Sequence, residues 1–179
     1  MFIFQSMEHK MNITAGKYKG QKVVAPDENI TRPTLSKVRM ALFNTLQSLI
    51  DFEGATFLDM FAGSGIMGLE ALSRGFKRVV AIEKNPKVFR ILENNYKSIG
   101  EKQTLIKGDT LKFDLEEHFD VVYIDPPYYA GVYEQALSIL KNFSIVILEH
   151  TTEIDFSGYE VIKQKKYGDK FLTFLRKSE

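Results

Sequence analysis

The stretch "VVYIDPPYY", Val121 to Tyr129, sets the chemical problem. Val121, Val122 and Ile124 have the β-branched, apolar character of a buried parallel strand. The strand stops at an acid, two prolines and two tyrosines, and Pro126 and Pro127 cannot donate to a sheet ladder. A carboxylate, a rigid backbone and an aromatic ring at the mouth of a sheet suit a flat base carrying an amino group. Such an amine is a poor nucleophile because its lone pair is delocalised into the ring. Asp125 and the Pro126 carbonyl could accept its two N–H hydrogens and favour a pyramidal nitrogen, with Pro127 stiffening the turn and Tyr128 stacking on the base. A lone Asp-Pro-Pro could equally be a plain turn after a strand.

Three further acids fall at expected strand ends: Asp59, Glu83 and Asp109. Four acids on the rim where open α/β sheets bind ligands are hard to explain as helix caps. "DMFAGSGIMG" follows the first of these strands, and Gly63, Gly65 and Gly68 fit the G-x-G-x-x-G of a dinucleotide turn. Glu83 lies 20 residues after Gly63, where a ribose diol is usually bound. On the glycines alone a nicotinamide or flavin enzyme stays open. Asp59 argues otherwise, because a carboxylate beside the turn repels a pyrophosphate and suits a cation. S-adenosylmethionine (SAM) has a ribose, an adenine, a sulfonium and an ammonium, and no phosphate. Asp109 would then face the adenine amine, although an Asx turn explains it nearly as well.

Composition narrows the classes. The chain has 179 residues, 44% hydrophobic and 26% charged, the size and balance of one soluble domain. No apolar run approaches the ~20 residues of a membrane span, and the start lacks a signal-peptide pattern, so a cytoplasmic protein is expected. There is no cysteine, which excludes thiolate metal sites and the thiolate attack used for pyrimidine C5 methylation, and favours transfer to nitrogen. With three histidines, no metal site is expected. Seven basic residues between His9 and Met40 face only Asp27 and Glu28, so a basic arm precedes a slightly acidic body and suits a polyanion.

The elements that must position these residues follow from periodicity. Strands over 11–15 and 21–25 flank the loop "GKYKG". Leu35, Val38, Leu42, Leu46 and Leu49 recur at helical spacing. From Ala55 onward strands alternate with helices over 65–74, 86–98 and 132–140, and the chain closes with an antiparallel hairpin around Gly168-Asp169. The expected fold class is α/β: a mainly parallel Rossmann-like sheet, with 11–50 as an N-terminal extension and 54–179 as the core of one domain.

The chain resembles the RsmD-type 16S ribosomal RNA guanine-N2 methyltransferases, a class I SAM-dependent family. The likeness runs from about Asn12 to Arg176 through "GKYKG", "RPT", "KVRMALFN", "LDMFAGSGIMGLEALSRG", "DPPY", "LEH" and "YGD". The resemblance implies a seven-stranded sheet, with Asp125, Pro126, Pro127 and Tyr128 around the target guanine. It implies that Asp59, Phe61, Ala62, Gly63, Ser64, Gly65, Glu83, Lys84, Asp109 and Thr110 hold SAM. It assigns RNA contacts to Lys17, Lys19, Lys22, Arg32, Thr34 and Arg39, with 16S rRNA or the small subunit as partner; apart from the resemblance, a monomer is expected. Ser36-Lys37 stands where the family has Asp-Arg, and lysine lacks the bidentate fork of arginine. The Asp-Pro-Pro-Tyr pattern does not separate guanine from adenine, so DNA adenine-N6 transfer, or a non-catalytic SAM-binding RNA module, remain alternatives.

Overall fold

The structure is a computed structural model that describes residues 9–27, 35–127 and 131–179. Its frame is a seven-stranded sheet. The strands are β3 (Thr56–Asp59), β4 (Arg78–Glu83), β5 (Thr104–Lys107), β6 (Phe119–Ile124), β7 (Phe143–His150), β8 (Tyr159–Tyr167) and β9 (Lys170–Lys177), in the order β5-β4-β3-β6-β7-β9-β8. The first five in that order run parallel, while β9 inserts antiparallel between β7 and β8. The expected α/β class and closing hairpin are both present.

Side-chain alternation divides the apolar residues between the two faces. On one, Phe57, Val121, Tyr123, Ile147 and Phe174 pack under α1 (Ser36–Gln47), α2 (Ile66–Ser73) and α3 (Pro86–Ile99). On the other, Leu58, Ile82, Val122, Ile124 and Leu148 pack against α4 (Val132–Ile139). The helices are bounded by local signals: Asn85 accepts the Lys87 and Val88 N–H groups ahead of Pro86, and Gly100 ends α3 in the left-handed conformation.

The N-terminal strands β1 (Lys10–Asn12) and β2 (Lys22–Val24) are shorter than the sequence pattern suggests. The reason lies in α2: the Thr14 N–H turns away from the hairpin and donates to Glu70 Oε1 at 2.7 Å. The hairpin therefore lies along α2 and α3 as a clasp. Its loop meets the last residue of α2, where the Lys17 N–H donates to the Ser73 carbonyl at 2.8 Å. At its base, Asn95 of α3 accepts the Val24 N–H at 3.0 Å and donates to the Val24 and Ser64 carbonyls.

Candidate active site

Between β3 and β6 the chain order of the sheet reverses, and the carboxyl ends of strands at such a switch point are where open α/β sheets bind ligands. Asp59 ends β3 there, paired in register with Tyr123, and Asp125 follows two residues later. Asp59 is 1% exposed. The Phe61 N–H donates to its carboxylate, but Oδ1 has no partner among the described residues. Burial, opposed by the Phe61 bond and reinforced by the charge of Glu83, pushes this carboxyl up to about 7.

The glycine turn is built on backbone bonds. The Ala62 N–H donates to the Ile82 carbonyl at 2.9 Å, and the Gly63 N–H to Glu83 Oε2 at 2.9 Å. Glu83 Oε1 takes the Asn85 N–H, so this acid ties the turn to the next helix. Gly63 has φ of 56°, and a Cβ built on it would meet nothing within 4 Å: the turn faces open space. The other two glycines are required by what lies beneath. A Cβ on Gly65 would come 2.4 Å from Leu92 Cδ1, and one on Gly68 2.2 Å from the Tyr96 hydroxyl. Ser64 Oγ accepts the Ile66 N–H at 3.3 Å just before α2, and Phe61 packs on the opposite face of the sheet.

Asp109 starts a 3-10 turn, Thr110–Lys112. Its Oδ1 accepts the Leu111 N–H at 3.1 Å, which is the Asx-turn role, and Oδ2 meets the exposed Lys84 ammonium at 3.3 Å. Thr110 beside it is buried, with its hydroxyl unpartnered among the described residues. Asp59 Oδ1 and Thr110 Oγ1 are thus buried polar atoms on one rim that a ligand could satisfy.

Asp125 is half-buried, Pro126 buried and Pro127 exposed; Tyr128 lies outside the described residues. Burial first, and then the charge of Glu149, hold the Asp125 carboxyl well above the usual range, with Lys170 and any hydrogen bond donated by Tyr123 pulling the other way. Tyr123 Oη lies 3.4 Å from Asp125 Oδ2 and donates to Glu149 Oε2, while Lys170 Nζ donates to Glu149 Oε1. Sequence reasoning misses this row. Tyr123 reads as strand filler, and only the strand alternation puts Glu149 on the same face.

The basic arm divides. Lys17, Lys19 and Lys22 are surface side chains, with Lys17 also paired to Glu101 at 3.3 Å. Arg32 and Thr34 lie outside the described residues. Arg39 must be corrected as an RNA contact: it is 1% exposed, with Nε 3.3 Å from Glu70 Oε1 and an Nη donating to the Asn12 carbonyl at 2.8 Å. A guanidinium held inside the fold cannot meet a phosphate.

The family profile described as Conserved hypothetical protein 95 matches residues 11–176. The chain is also 36% identical, over 138 residues, to the ribosomal RNA small subunit methyltransferase D of Haemophilus influenzae, covering 73% of this chain and 70% of that protein. The chain belongs to this methyltransferase family. A hypothetical protein of Thermus thermophilus has the same fold as this family member, with a TM-score of 0.79 at 29% identity over 92% of this chain and 98% of that one. The 16S rRNA N2 G1207 methyltransferase of T. thermophilus, solved with AdoMet and guanosine, shares the fold with a TM-score of 0.72 at 16% identity. That match covers 96% of this family member and 50% of the other, longer chain. Among the described residues no helix is long and apolar enough to cross a membrane.

Proposed function

We propose that the protein transfers a methyl group from SAM to the exocyclic N2 of a guanine in 16S ribosomal RNA. The observation that carries this reading is the pair of acids at the point where strand order reverses, Asp59 ending β3 and Asp125 just beyond the end of β6. Membership of a family whose relatives are named as small-subunit ribosomal RNA methyltransferases supports RNA as the polyanion.

The residues present fit SAM. Asp59 is a buried carboxylate with one oxygen unpaired and an affinity for protons raised to near neutrality, so a cation would relieve it. Asp59, Gly63, Gly65, Glu83, Asp109 and Thr110 would hold it, with Glu83 on the ribose and Asp109 and Thr110 toward the adenine. When bound, SAM supplies an electrophilic methyl on a sulfonium centre.

The chain's own part is orientation and proton handling. Asp125 and the Pro126 carbonyl would accept the amine's two hydrogens and aim its lone pair. Tyr128 would stack on the base, and Lys17, Lys19, Lys22 and Arg32 would meet phosphates. Once alkylated, the nitrogen holds one proton too many, and Asp125 is within reach to take it.

The test offers labelled SAM to unmethylated small subunits, to their extracted RNA and to DNA, followed by nucleoside mass spectrometry. N2-methylguanosine from subunits or RNA is the expected product. Product on adenine, or on DNA only, would overturn the reading.

A further inference from the structure

Behind Asp125 stands a row of side chains that neither a helix cap nor a ligand contact explains. Tyr123 on β6, Glu149 on β7 and Lys170 on β9 come from three neighbouring strands and point to one face. Glu149 is 1% exposed, a buried carboxylate held by a phenol on one oxygen and an ammonium on the other. Tyr133 of α4 adds a hydroxyl bond to the Glu149 backbone carbonyl at 2.5 Å, which fixes the strand end itself.

A phenol has one proton, and the shorter contact with Glu149 claims it. What Tyr123 then turns toward Asp125 Oδ2, 3.4 Å away, is oxygen with a lone pair. That arrangement welcomes Asp125 when it carries a proton and resists it when ionised. The charges facing Asp125 act in both directions: Asp59 from β3 and Glu149 from β7 oppose its ionisation, and Lys170 from β9 favours it. From α1, Arg39 is close enough to feel Tyr123.

We propose that Tyr123, Glu149 and Lys170 are positioning residues that hold the Asp125 carboxyl at the strand end and set the pH at which it exchanges its proton, so that it accepts the proton of the methylated amine. This inference rests on the reading of Asp125 given above. In the step, the N–H bond breaks with its electrons left on nitrogen, and an O–H bond forms on Asp125. The new O–H then has a ready acceptor in Tyr123. Glu149 keeps the phenol oriented, and Lys170 holds the Glu149 carboxylate in place.

The experiment reads the carboxyl directly in the SAM-free protein, by carbon-13 NMR titration of labelled aspartate, and needs no activity. Asp125→Asn assigns the signal. Glu149→Gln removes a negative neighbour and should lower the Asp125 midpoint by about one pH unit; Lys170→Met removes a positive one and should raise it by about as much. Lys170→Arg should restore it. Where transfer is detected, its acid limb, the fall in rate as Asp125 gains a proton, should move in the same two directions. A purely structural role moves neither midpoint. Midpoints unchanged within 0.3 unit (a roughly twofold change) in folded Lys170→Met and Glu149→Gln proteins would overturn the proposal. If Glu149→Gln does not fold, Lys170→Met carries the test, with an upward shift expected. Shifted midpoints without methyl transfer would keep the network and reject the activity.

Discussion

Arg39 Nε lies 3.3 Å from Glu70 Oε1, with the two side chains 2% and 0% exposed. Glu70 also takes the Thr14 N–H and hydroxyl and a contact from Arg74, so one carboxylate fastens the arm and α1 to α2. Removing Arg39 leaves a buried charge short of a partner, which typically costs about 3–5 kcal/mol. Arg39→Ala should therefore lose about that much stability in urea unfolding. A variant with unchanged stability and weakened RNA binding would restore Arg39 to the RNA surface.

Much of this architecture is legible in the sequence because burial writes itself as periodicity. The strands ending at Asp59, Glu83, Lys107 and Ile124 stand where β-branched runs meet acids or glycine, and α/β topology puts those ends on one rim. Arg39 is misread from sequence for a physical reason. A charge count registers the guanidinium but not its partner 31 residues away, nor the helix face it occupies. The Tyr123–Glu149–Lys170 row is less legible still. Lys170 joins it only because β9 inserts next to β7, so that His150 pairs with Phe171, and no local pattern announces that crossover.

Asp59 gives the ligand-free protein a pH signature. Its folded carboxyl titrates at about 7 against 3.8 unfolded, so between those values the native state binds more protons. Stability should fall as pH rises from about 4 to 7, by on the order of 4 kcal/mol from this group, and flatten above. Asp59→Asn should remove most of that slope in urea unfolding at pH 5 and pH 8. Affinity for SAM has the opposite sense: a cation favours ionised Asp59, so binding should strengthen with pH up to about 7. Isothermal titration across that range checks it, and pH-independent binding would separate Asp59 from the cation.

Gly68 and Tyr96 test the floor of the glycine turn. A Cβ on Gly68 meets the Tyr96 hydroxyl at 2.2 Å and Val79 Cγ1 at 2.8 Å. That hydroxyl is buried without a partner among the described residues. Tyr96→Phe should be neutral or stabilising by about 1 kcal/mol, since it removes an unsatisfied group. Gly68→Ala should destabilise by about 1–3 kcal/mol through overpacking. The double variant should recover part of that loss, leaving the Val79 contact as the remainder. Strict additivity in the double-mutant cycle would mean the two positions do not touch.

The arm's loop sits far from the glycine turn. Its Gly16 is so close to the end of α2 that a Cβ there would lie 1.8 Å from the Ser73 carbonyl oxygen. α2 starts at the glycine turn and spans eight residues, so about 12 Å of helix separates loop from turn. Lys19 on that loop is exposed, while Lys17 already has Glu101. RNA reaching Lys19 must wrap past the clasp, and a contact there adds affinity without touching the base. Lys19→Ala should thus weaken RNA binding, lower the salt slope of log K by about 0.7–1, and leave the turnover of bound substrate unchanged. Filter binding across salt concentrations, paired with single-turnover rates at saturating RNA, separates these effects. An unchanged slope would confine the RNA footprint to the hairpin base and the glycine-turn side of the molecule, because a lysine that meets a phosphate must release a counterion when it binds.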